Sequence, residues 1–205
     1  MADGDSTWRD SRGIATASRW LLWAHASVTT CFAIAEWMAG GSDSEEMLIT
    51  VGLIALLQLC VFVITTIVVL RWFYVATANG LALGADELPS PAMAVGSFFI
   101  PFVNLVMPYM TMRDLWKAGA RPRDGESDRG RAVVAAWWAL WLGAGVAGLI
   151  AQLSAGNAEG GPAPSSQLFA AASGACSAGA ALCLAWLISR IQEMQAAGRP
   201  AAIFE

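Results

Sequence analysis

Four long apolar runs lie along the chain, separated by short polar stretches, and each is close to the length that carries a helix across a bilayer. They cover residues 20–39, 47–74, 132–153 and 168–188. About 20 mostly apolar residues, at 1.5 Å of rise each, cross the roughly 30 Å of hydrocarbon, so each run predicts a transmembrane helix. The second helix is expected to run on as far as Asn79, where an Asn-Gly pair signals its end. Residues 40–46, GGSDSEE, form an acidic turn, and residues 154–167 form a loop rich in Gly, Pro and Ser. Residues 1–19 and 191–205 read as tails on either side of a single membrane domain over 20–190. Ala33-Ile34-Ala35 imitates a signal-peptide cleavage site, but the stretch before the first run is long and acidic. The first run is therefore expected to remain as an anchor.

A fifth apolar stretch, residues 91–117, has the sequence PAMAVGSFFIPFVNLVMPYMTMRDLWK. It is broken by Pro101, Asn104 and Pro108 and ends in a charged cluster with Arg113, Asp114 and Lys117. Proline removes a backbone donor and clashes with the carbonyl four residues back, which in a helix would free the carbonyls of Ser97 and Asn104. Broken backbone at membrane depth must be buried in protein or face water. The commoner use of such a segment is a structural elbow under a helix bundle; the sharper one is a site for a ligand, ion or lipid. Arg113 and Lys117, with Trp116 between them, read as an anchor at headgroup level.

Charge fixes the expected orientation. All twelve Lys and Arg fall in the N-terminal tail, the central region from Arg71 to Arg131, or the C-terminal tail, whereas the loops at 40–46 and 154–167 carry only acids. By the positive-inside rule both termini and the central region are cytoplasmic. That requires an even number of crossings between Arg71 and Arg113, and zero is the simplest. The expected fold is an all-α integral membrane protein of four transmembrane helices, with residues 91–117 as a re-entrant or interfacial segment on the cytoplasmic side.

Composition agrees: 57% of the 205 residues are hydrophobic, only 14% are charged, and ten Trp stand against a single lysine. No basic face is interleaved with aromatics, so nucleic acid is not an expected partner. Cys31, Cys60, Cys176 and Cys183 all lie in apolar runs, without CxxC spacing, and read as small buried hydrophobes. With one histidine and no ligand-spaced cluster, neither a metal nor any other cofactor is expected, and no catalytic residue is assigned.

Three intramembrane polar positions remain. His25 and Glu36 share one stripe of the first helix, about 16 Å apart along its axis, and intramembrane ionisable groups are functional candidates. Gln58 lies near the middle of the second run, level with Thr29, Thr30 and Ser177, where interhelical hydrogen bonding is its ordinary use. Ala135, Ala139, Gly143 and Ala147 form one small-residue ridge, and Ala171, Ala175, Gly179 and Cys183 another. Such ridges suit the third helix against the fourth, a second copy of the chain, or a larger membrane complex.

Arg71-Trp72, Asn79, Ser90-Pro91, Phe99-Ile100-Pro101-Phe102, Asn104-Leu105, Pro108-Tyr109 and Leu115-Trp116 together form a more specific string. It resembles a bacterial membrane family catalogued as domain of unknown function 4328, from about residue 67 to 122. The resemblance implies a multi-span bacterial membrane protein, with Arg71, Asn79, Pro101, Asn104, Pro108 and Trp116 matching the family pattern, and it carries no catalytic role. The departure is Ala118-Gly119, where a Ser or Thr is expected. The expected function is that of a non-enzymatic assembly, packing or regulatory subunit of the bacterial cytoplasmic membrane, whose broken segment contacts partners or lipid. The alternative is a small transporter, channel or ligand sensor using Arg71, Asn104 and Gln58.

Overall fold

A computed structural model describes residues 8–39, 44–119, 126–155 and 164–198. Every regular element among them is helical: α1 Arg12–Ala39, α2 Glu45–Ala82, α3 Pro91–Gly96, a 3-10 turn Val103–Leu105, α4 Met107–Gly119, α5 Glu126–Ala155 and α6 Pro164–Gly198. Three helices, α2, α5 and α6, are long and apolar enough to cross a membrane. The first of the four expected spans, in α1, falls short on composition, because Arg19, His25, Thr29, Thr30 and Glu36 interrupt its apolar residues.

The helices outrun the apolar runs that predict them. At 1.5 Å per residue the 38 residues of α2 extend about 57 Å, well beyond the hydrocarbon thickness. The Asn79-Gly80 pair does not end α2, because Asn79 is buried and its side chain is held by other chain segments. Residues 12–18 are helical rather than tail-like: Ser11, Ala15 and Ser18 are buried at a spacing of four and three, which places three small side chains on one face. At the other end α6 continues past residue 190, with Ile191 and Gln195 buried one turn apart.

The chain divides into two compact units. The first comprises Met1–Arg19, Ile67–Ala135 and Ala185–Glu205; the second comprises Trp20–Thr66 and Ala136–Leu184. The first unit has the interior of a water-soluble domain, with Trp72, Phe73, Met112, Leu115, Trp116, Leu187 and Ile188 all fully buried. Trp116 stacks on Trp186 with ring centroids 5.5 Å apart, and Phe73 meets Phe98 edge-on at 5.4 Å.

The second unit is built the other way round. Leu53, Leu56, Leu57, Ile64, Leu149 and Leu153 are exposed, while Ala26, Thr29, Ala151, Ala180 and Ala181 are buried. Leu22, Trp137, Trp138 and Leu184 are buried with them, but aliphatic side chains turned mostly outward over a largely small-residue interior is the arrangement of helices surrounded by lipid. Of the two small-residue ridges, the glycines meet the facing helix: a Cβ on Gly179 would lie 3.2 Å from Leu140, and one on Gly143 3.8 Å from Cys176 Sγ, while Ala135, Ala139 and Ala175 are exposed. Ser173 Oγ adds a hydrogen bond to the Ala144 carbonyl at 2.9 Å.

Candidate membrane-surface site

The broken segment belongs to the first unit. Ser90 caps α3 by accepting from the Met93 N–H, and Pro91 takes the first helical position, where its missing N–H costs nothing. Ser97 ends the helix, its hydroxyl donating to the Ala94 carbonyl at 2.8 Å. Residues 97–106 then form turns instead of the continuous helix in which the prolines would strip carbonyls. The Val103 N–H donates to the Pro101 carbonyl at 2.8 Å around Phe102, whose φ is +65° and ψ −39°. This is the rare, strained form of γ-turn. Pro108 falls in the first turn of α4 and is buried.

α4 turns Pro108, Thr111, Met112, Leu115 and Trp116 inward, at the spacing of one helical face. The lobe before it is bare. Phe102 is 83% exposed and Phe99 71%, and Ile100, Leu105, Val106, Met93 and Met110 are exposed with them. No charged residue occurs between positions 88 and 112. Phe102 thus combines a positive φ with an almost fully exposed aromatic side chain, and packing within the described residues does not account for the pair.

The charged end of the segment closes on itself. Arg113 Nε donates to Asp114 Oδ1 at 2.9 Å, its Nη2 donates to Oδ2 at 3.3 Å, and Lys117 Nζ approaches Oδ1 at 3.3 Å. The hydrogen bond that Arg113 donates to Asp114 raises the Arg113 pKa, so the guanidinium stays charged. Trp116, expected at headgroup level between these cations, is instead only 1% exposed within the core. The anchor reading therefore keeps Arg113 and Lys117 and loses Trp116. The reason lies in α4 itself, where residue 116 continues the face of 108 and 112.

The other candidates do not converge. Asn79 is a clasp: its Oδ1 accepts from the Arg9 N–H, and its Nδ2 donates to the Arg9 carbonyl, both at 2.9 Å. Ser11 Oγ donates to Gln192 Oε1 at 2.7 Å, Gln195 Nε2 donates to the Ala76 carbonyl at 2.8 Å, and Arg9 lies over the Tyr74 ring. Arg71 is exposed, Pro101 is exposed at the lobe, and Asn104 is half-buried in the 3-10 turn. Glu36 is exposed on α1. His25 and Gln58 belong to the second unit, where His25 Nε2 is hydrogen-bonded to Ser177 Oγ at 3.2 Å. Among the described residues no group of three or more His, Cys, Asp or Glu is placed to hold a metal ion.

Sequence reasoning placed Phe99, Ile100, Phe102 and Leu105 in the family-like string but assigned a site role only to the prolines and Asn104, and it passed over Val106. Their signal was the uncharged stretch itself, which reads equally well as core until the turns at 97–106 leave it uncovered.

The family described as "Domain of unknown function (DUF4328)" matches residues 34–193, well beyond the stretch that carries the resemblance in sequence. No curated protein and no solved structure matches the chain. With more than half of its length matched, including the whole broken segment, the chain belongs to the DUF4328 family.

Proposed function

We propose that the chain is a non-enzymatic, multi-pass protein of the bacterial cytoplasmic membrane. The second unit spans the bilayer, and the first is a cytoplasmic unit held to the inner leaflet by the lobe at residues 97–106. In this reading it works as an assembly or regulatory subunit that presents a folded surface at the membrane. The observation that carries the reading is the exposed lobe, an uncharged apolar patch on a unit that otherwise has a buried core. Its occupant in this reading is lipid, because the patch is flanked by Arg113 and Lys117 and contains no carboxylate that would meet a basic partner. Irregular backbone excludes deep insertion, so the lobe sits at interfacial depth, where aromatic side chains concentrate.

Two further observations support the topology. Arg9, Arg12, Arg19, Arg71, Arg113, Lys117, Arg129, Arg131 and Arg190 all fall in the first unit, and residues 20–66 and 136–184 contain no Lys or Arg. A division made by packing thus coincides with one made by charge, as the positive-inside rule requires. The helical stretches of the second unit, 20–39, 45–66, 136–155 and 164–184, are each about 20 residues, or roughly 30 Å. That length supports α1 as a fourth span despite its polar residues.

The test is depth and sidedness. Single cysteines at Phe102, Ser44 and Ser165, in a chain with the four native Cys removed, are labelled with a polarity-sensitive dye in vesicles of known orientation. The expected result is a blue-shifted dye at 102, quenched by shallow lipid-borne quenchers, with Ser44 and Ser165 reached only from outside. A water-like signal at 102 in lipid overturns the lobe; labelling of 102 from outside overturns the topology.

A further inference from the structure

We infer that α1, α2 and α6 enclose a binding site for a small neutral molecule that both donates and accepts hydrogen bonds, namely water, between His25, Thr29 and Gln58 in the second unit. His25 is 9% exposed and Thr29 2%. Three buried polar atoms there have no partner in the protein: His25 Nδ1, Thr29 Oγ1 and Gln58 Oε1. An unpaired buried polar group is costly, so three at one place need a common explanation.

Helix register brings them together. Thr65 Oγ1 donates to the Leu21 carbonyl at 3.4 Å, and the Phe62 ring lies 5.9 Å from the His25 ring. Continuing along these two antiparallel helices, one turn past His25 is Thr29, and one turn back from Phe62 is Gln58. α6 closes the third side. Ser177 holds His25 Nε2, and Gly174 lets the backbone approach, since a Cβ there would be 3.3 Å from Ala33 and 3.9 Å from Thr29.

The neighbouring hydroxyls sharpen the contrast. Ser27 and Thr30 donate back to the carbonyls of Trp23 and Ala26, the usual way a helix satisfies them. Thr29, between them in sequence, does not. The ligand class follows from the groups present. Gln58 Oε1 only accepts, the Thr29 hydroxyl does both, and His25 Nδ1 does either according to tautomer. Besides His25, the titratable groups of these helices within the second unit are Glu36, about 16 Å away along α1, Glu45 and Glu46, exposed at the start of α2, Cys31 and Cys60, which are exposed, and Cys176 and Cys183 on α6. No carboxylate or ammonium faces the seam, so a neutral molecule fits and a bare ion does not. Two to four polar partners are what a buried water needs.

His25 is the only histidine in the chain, so its ring can be observed alone. The experiment uses the full chain, 15N-labelled at histidine, in lipid nanodiscs, and records magnetisation exchange between water and the ring. The expected result is a water cross-peak at the Nδ1 side, lost in both Thr29→Val and Gln58→Leu. Ser177→Ala should retain it while shifting the Nε2 resonance. Absence of the cross-peak in the unmodified chain overturns the inference. So does its persistence in both Thr29→Val and Gln58→Leu, provided each variant keeps the near-ultraviolet signal of the Trp138–Trp141 stack, which lies in the same unit. Neither outcome depends on the lobe.

Discussion

Replacing Gly130 with alanine sets two opposing effects against each other. In a helix interior the change ordinarily stabilises by about 1 kcal/mol. Here the added methyl would fall inside the Trp116 ring, against Cε2, Cζ2 and Nε1. Carbon atoms rest about 3.5–4.0 Å apart, so the indole or the helix must move by more than an ångström. The ring has nowhere to go, being 1% exposed and stacked on Trp186. Overpacking of a closed core costs about 1–3 kcal/mol and sometimes more. With a rigid ring as the obstacle we place the steric cost near the top of that range, so the net loss is about 2 kcal/mol. The control is Gly145→Ala in the same helix, where nothing lies within 4 Å of the added carbon, so the propensity gain stands alone. Unfolding in detergent, followed by tryptophan fluorescence and the near-ultraviolet signal of the stacked pair, measures both. An unchanged or raised midpoint for Gly130→Ala would refute the packing of α5 against Trp116.

Three further changes test other parts of the molecule. Phe102→Gly should raise stability in detergent by about 1 kcal/mol, because glycine adopts positive φ without strain, while weakening contact with lipid; a fall in the detergent midpoint would argue against the strained turn. Asn79→Ala removes both clasp bonds and should cost about 1–3 kcal/mol while accelerating hydrogen exchange at Arg9; Asn79→Asp keeps the acceptor for the Arg9 N–H but sets a buried carboxylate oxygen against the Arg9 carbonyl, so it should lose at least as much. Arg113→Gln should cost less than about 1 kcal/mol, since the pair is partly exposed and Lys117 still meets Asp114. The Arg113 pKa is raised, so its contribution is present below the unfolded value and lost only as pH rises through the folded one. A melting series from pH 6 to 9 should therefore show no Arg113-dependent slope, and finding one would contradict that sign.

The long apolar runs and the charge distribution were legible because both follow from what lipid tolerates, and they need no tertiary information. The helix ends that belong to the first unit were not. Ser11, Ala15 and Ser18 look like a solvated tail because small polar residues carry little hydrophobic signal, yet their helical spacing lets the segment pack against α6 through Gln192. Asn79 was singled out for its position in the family pattern, but its bonds to Arg9 span 70 residues, and no local pattern encodes such a contact. Trp116 was misplaced because a tryptophan between Arg and Lys suggests an interface; only the face shared with Pro108 and Met112 gives it away.

In the proposed topology the two units answer to different solvents, and the substitutions each tolerates should differ accordingly. In the first, large side chains such as Trp72 and Leu187 are buried, so hydrophobic burial against water holds it together, at about 25 cal/mol per Å². In the second, most leucines are exposed and, beside the buried Leu22, Leu184, Trp137 and Trp138, the close contacts involve glycine, alanine and single hydrogen bonds such as Ser173 to Ala144. Lipid outside those helices removes the hydrophobic driving force between them, leaving close packing and bonds worth about 0.6 kcal/mol each. Enlarging a small residue at Gly148, where Ser173 Oγ would be 3.1 Å from the new Cβ, therefore threatens the second unit more than deleting an exposed leucine. In the first unit the order reverses, and truncating Leu187, at about 2–5 kcal/mol, does more harm than any single polar change outside the Asn79 clasp.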